Sequence, residues 1–148
     1  MTGPDPSGIV CITFKTIKTM RTTYQLTTVP ASGIICIRES VIIRVMFDIE
    51  QREPVTIDGH TEGEDLYDLT IVDVPGTSYG EIVSAIINDR YSSDQVQALT
   101  ANRALALDSD SGISDEKRQE YLDEYLAYQA YRSHAKEVAS LAIIELNA

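Results

Sequence analysis

The chain changes its hydrophobic period once, at Pro75-Gly76, and this change constrains the fold more than any other feature of the sequence. Before it, apolar and polar residues alternate, which puts every second side chain on one face of an extended strand. Val41, Ile43, Val45, Phe47 and Ile49 share one face while Arg44, Asp48 and Glu50 fall on the other, the pattern of a half-buried sheet strand. Thr22 to Val29 and the run from Ile34 read as two further strands around a turn at Pro30 to Gly33. Val55 and Ile57, a turn from Gly59 to Asp65, and Tyr67, Leu69 and Ile71 read as a hairpin.

Beyond Gly76 the period becomes helical. Ser78-Tyr79-Gly80-Glu81 has the form of a capping box, and Ile82, Val83, Ile86 and Ile87 make one apolar stripe of a helix ending near Tyr91. Ser92 to Gln95 repeats the box in its Gln form and opens a second helix, carrying Val96 and Leu99 toward Leu107. A polar loop from Asp108 to Ser114 follows, and a longer helix is predicted from Asp115 to the C-terminus. These readings give an α+β fold, with an antiparallel β-sheet from the N-terminal half followed by about three C-terminal helices, the last one long. Residues 20–148 are expected to form a single α+β domain. Residues 1–19 are expected to be a flexible or appended segment, although Ile9 to Phe14 has the composition of a strand.

Charge narrows the range of partners. Residues 1–54 carry six basic and five acidic side chains, whereas residues 55–148 carry six basic and eighteen acidic, a difference of −12 in the second part alone. Such a surface repels phosphates and anionic lipid, so neither direct nucleic-acid binding nor membrane binding is expected, and a basic protein surface is the better match. Cys11 and Cys36 are too few for a disulfide framework and have no zinc-site spacing, which suits a reducing cytoplasm. No signal peptide is read at the N-terminus, where Pro4 and Pro6 come first and Lys15, Lys18 and Arg21 follow a short apolar run.

Three motifs bear on chemistry. Gly76-Thr77-Ser78-Tyr79-Gly80 matches the G-x-S-x-G nucleophile elbow, and Asp108 or Asp110 and then His134 follow in the order of an α/β-hydrolase triad. That fold needs a large parallel sheet with helical crossovers, whereas the residues before Ser78 read as consecutive strands, so Ser78 is expected to be a helix cap. Asp108-Ser109-Asp110-Ser111-Gly112 has the alternate carboxylates of a calcium loop, but Gly112 stands at its fifth position, Ile113 at its sixth and Gln119 at its twelfth, so a solvated loop capped through Ser114 is expected. Glu62, Glu64, Asp65 and Asp68 near His60 are read as a charged hairpin tip. No catalytic residue, metal or cofactor is therefore expected.

Tyr121, Tyr125, Tyr128 and Tyr131 are spaced four, three and three apart, so a helix gathers them on one face, which Ala135, Ala139, Ile143 and Leu146 continue. Such a stripe suits a core, but tyrosine also favours surfaces buried against a partner while the hydroxyl stays wet. Leu122, Leu126 and Ile144 lie well round the helix from that stripe and suggest contacts on two sides. Leu122, Tyr125, Leu126, Tyr128, Tyr131 and Ile144 are accordingly the candidate interface.

The stretch from Met20 to about Ala139, above all YGEIVSAIINDRYSSDQVQALTANR and YLDEYLAYQAYRSHAKEVA, resembles small uncharacterised proteins found among phage and prophage structural genes. The resemblance rests on a β-rich start, a Tyr-Gly-x-Ile-Val segment and a terminal helix with Tyr131, Arg132, Ala135 and Lys136 in an aromatic-Arg-x-x-Ala-Lys pattern. It implies a virion, tail or assembly role, played through contacts with other structural proteins or copies of itself, and brings no catalytic residues. The rival expectations are an acidic inhibitor that mimics nucleic acid and a small hydrolase using Ser78.

Overall fold

In a computed structural model the structure describes residues 21–148, and the expected α+β order is present. Six strands, β1 (Thr22–Gln25), β2 (Ile35–Arg38), β3 (Ile43–Gln51), β4 (Val55–Ile57), β5 (His60–Glu62) and β6 (Leu66–Val74), precede three helices among the described residues. The helices are α1 (Tyr79–Arg90), α2 (Ser93–Leu107) and α3 (Asp115–Leu146). None of them is long and apolar enough to cross a membrane. The appended segment expected over residues 1–19 lies outside the described residues.

The described residues fall into two compact units, one holding 21–86 with 136–148 and the other holding 87–135. The first is built on a four-stranded antiparallel sheet ordered β1-β6-β3-β2. On one of its faces Ile43, Val45 and Phe47 of β3 stand beside Val74, Val72 and Thr70 of β6, as the alternation of β3 requires. These residues are buried, and so are Ile82 and Ile86 of α1 and Val138, Ala139 and Ala142 of α3 in the same unit. The alternation breaks where the β3–β6 register shifts between Phe47 and Glu50, with Asp48 in the left-handed region at φ 53°. Ile49 thereby leaves the buried face and is half-buried, while Val41 lies before β3 and is exposed.

The expected hairpin between 55–57 and 67–71 is not formed. Val55–Ile57 pairs with His60–Glu62 in a separate two-stranded ribbon, and β6 pairs with β3 and β1 instead. The reason is the turn: Asp58 (φ 51°) and Gly59 (φ 79°) both take positive φ, the conformation that matches the twist of two adjoining strands and that Asp-Gly favours. The chain therefore reverses at residue 58, well before Asp65.

The second unit is helical. Tyr91 is its most buried large side chain, meeting Tyr128 edge-on at a ring separation of 4.9 Å and Tyr131 at 5.8 Å. Leu99 and Ala106 of α2 and Ala135 of α3 are buried in the same unit. The loop between α2 and α3 is closed by Arg118, whose guanidinium donates to the carbonyls of Ala106 (2.6 Å) and Asp108 (3.0 Å), filling acceptors that a helix end leaves open.

Candidate functional site

The first three turns of α3 begin at Ser114, whose hydroxyl accepts from the Lys117 backbone N–H at 3.1 Å, and they carry the acids and tyrosines that the helical period gathers. Of the six candidate interface residues, Tyr128 and Tyr131 are corrected to core: they are only 8% and 6% exposed, because Tyr91 packs against both rings. Leu122 and Tyr125 are half-buried. Leu126 and Ile144 lie on the surface, 64% and 65% exposed. Each has an apolar neighbour one turn away, Leu122 for Leu126 and the partly exposed Leu141 for Ile144.

Around the tyrosines stand three arginines, of which only Arg132 stood out in the sequence, within its aromatic-Arg-x-x-Ala-Lys pattern. The Arg103 guanidinium lies 4.8 Å above the Tyr125 ring, that of Arg90 4.6 Å above Tyr131, and that of Arg132 5.9 Å from Tyr128. Arg132 also donates to Gln129 Oε1 at 3.0 Å, and the Gln129 amide donates to Tyr125 Oη at 2.7 Å, linking the array along one side of α3. Guanidinium planes stack on aromatic faces at modest gain and keep their N–H groups available at the edges. Arg90, Arg103 and Arg132 take part in none of the ion pairs among the described residues. Arg132 lies four residues after Tyr128, a spacing the helical period brings together, but only the packing of α2 could reveal Arg103.

The other motifs resolve into local structure. Ser78 and Glu81 form a reciprocal cap: the Ser78 hydroxyl accepts from the Glu81 N–H at 3.2 Å and donates to Glu81 Oε1 at 2.7 Å, and the Ser78 N–H reaches the same oxygen at 3.2 Å. Ser92 and Gln95 repeat it. In the Asp108 loop, Asp108 Oδ1 accepts from the Asp110 N–H at 2.9 Å, and Gly112 takes φ 77°. Of the acidic stretch, Asp65 is hydrogen-bonded by the Gln25 amide and Asp68 by the Thr23 hydroxyl at 2.6 Å. No group of three or more His, Cys, Asp or Glu is placed to hold a metal ion among the described residues.

Two features lie on the 136–148 end of α3. Arg38 donates to the Leu146 carbonyl at 2.9 Å and Ser32 to Glu145 at 2.8 Å, so the β2 segment holds the helix C-terminus. Between them, Cys36 sits with its sulfur 3.9 Å from the Ala142 carbonyl. Burial pushes its thiol pKa up, Glu145 adds to the shift, and Arg38 opposes it, so the thiol is not activated as a nucleophile. In the helical unit, burial likewise raises the Asp89 carboxyl, and burial with the nearby Glu120 raises that of Glu124. Comparison of the chain with protein-family models, with curated proteins and with solved structures gives no match.

Proposed function

We propose that the protein is a non-enzymatic structural or assembly component of a phage-like particle, acting through protein contacts made by α3. The observation that carries this reading is the pairing of Leu126 with Leu122, and of Ile144 with Leu141, on the outer side of a helix whose buried stripe is already occupied. A single exposed apolar side chain is ordinary on a soluble protein, whereas adjacent pairs mark surfaces that gain from being covered. The engagement of the Ser78 hydroxyl within its own cap supports a structural role for the G-x-S-x-G segment. The acid excess and the resemblance to proteins of phage structural clusters point the same way.

The test replaces Leu126 and Ile144 with Glu, separately and together, and follows the protein through density-gradient sedimentation of particles from the producing cells. The expected result is that the native chain travels with particles or their assembly intermediates and that the folded double variant does not. Native protein that stays wholly at the top of the gradient would refute the reading, as would a folded double variant that still travels with particles.

A further inference from the structure

The β4–β5 ribbon buries none of its side chains. Every one of its six residues is exposed, and Val55 and Ile57, on one face with His60 and Glu62, are 58% and 64% exposed. A two-stranded ribbon alone in water is marginal, and a face with two β-branched residues gains from cover. Its charge is one-sided: residues 53–65 hold Glu53, Asp58, Glu62, Glu64 and Asp65 and no Lys or Arg. The cover it suits is therefore apolar and basic.

That description fits a surface of the helical unit. Arg103 and Arg132 hold two guanidiniums on the Tyr125 and Tyr128 rings, joined through Gln129, and among the described residues neither is paired with a carboxylate, although the chain has 23 acids against 12 bases. Leu107, one helical turn from Arg103, is exposed beside it. Arginine and tyrosine are the residues enriched where interfaces concentrate their binding energy, and the planar fork of arginine suits carboxylates. We propose that the β4–β5 arm of one copy docks on the Arg103/Arg132 face of a second copy, Glu62 and Glu64 meeting the guanidiniums and Val55 and Ile57 covering Leu107 and Tyr125. The inference rests on the assembly role and specifies one of its contacts. Because arm and face are different surfaces, two copies can exchange arms reciprocally in a closed dimer or link head-to-tail in a ring or an open chain.

Sedimentation velocity on the full chain tests this with two folded variants, Arg103→Ala with Arg132→Ala, and Glu62→Lys with Glu64→Lys. The native protein is expected to grow in mass with concentration. Each variant alone should be monomeric, its self-association weakened at least tenfold, and an equal mixture of the two should give a dimer and nothing larger, since each supplies the one surface the other lacks. Circular dichroism checks folding, and Arg103→Gln with Arg132→Gln replaces the first pair should it unfold. A native protein that is monomeric at high concentration overturns the contact, as do variants that associate like the native chain or a mixture that stays monomeric. A monomeric native protein that still travels with particles in the gradient would leave the assembly role standing and remove only this contact.

Discussion

At the scale of single residues, Cys36 shows how placement sets reactivity. Nothing in the sequence around it separates it from Cys11, yet its sulfur lies against the Ala142 carbonyl, near Glu145 and in partial burial. Its pKa is raised above the ordinary thiol value, chiefly by that burial, so the thiolate, which is the reactive form, is scarce at neutral pH. In a Cys11→Ser background, iodoacetamide is expected to modify folded Cys36 more slowly than the same residue in urea at pH 8, the difference narrowing as pH rises through the folded pKa. The sign for stability follows the same shift: the unfolded thiol ionises first, so stability present below the unfolded pKa is lost as pH rises toward the folded one. Equal rates in folded and unfolded protein would contradict this placement. Tyr91 teaches a similar lesson, since it looks like the last residue of a helix in the sequence and is the centre of the aromatic core in the structure.

Among elements, the entry into α1 joins a turn and a cap. A methyl group on Gly76 would run into the Glu81 carboxylate, the group that completes the cap with Ser78. Gly76→Ala therefore has two opposed consequences. It restricts the unfolded chain, which stabilises by about 0.4–1 kcal/mol, and it pushes Glu81 from the cap, which costs about 1 kcal/mol. In a Glu81→Ala background only the first remains. Urea denaturation should thus find Gly76→Ala near neutral in the native chain and stabilising in the Glu81→Ala chain, a coupling of about 1 kcal/mol. Identical effects in both backgrounds would show that the cap does not depend on Gly76. The caps at Ser78, Ser92 and Ser114 were all legible in the sequence, because capping is a contact between residues three apart.

For the whole molecule, the net charge of −11 is a standing repulsion that folding must overcome. Salt shortens the range of that repulsion to about 8 Å at 0.15 M ionic strength. Raising sodium chloride from low millimolar to that level is expected to raise the melting temperature, by roughly 2–4 °C for each kcal/mol regained in a chain of this size. The measurement belongs at low protein concentration, where association does not contribute. A melting temperature that stays level or falls with salt would mean that ion pairs such as Arg44 with Asp73 (2.8 Å) outweigh the general repulsion.

The sequence by itself determined what depends on near neighbours. The switch from a period of two to a helical period at Pro75-Gly76, the helix starts at their serine caps and the tyrosine stripe of α3 are all local, and all are present in the structure. The angle of Leu126 and Ile144 round the helix, away from the tyrosine stripe, was legible too, whereas their exposure was left to the fold. Tertiary structure decided what depends on residues far apart in the chain. Which strand pairs β6 turned on the reversal at Asp58-Gly59, a local signal whose consequence is long-range. That Tyr128 and Tyr131 are core rather than interface turned on Tyr91, and the stacking of Arg103 on Tyr125 turned on the packing of α2 beside α3. The physical reason is that periodicity states which side chains share a face, while burial and charge pairing depend on which other face meets it.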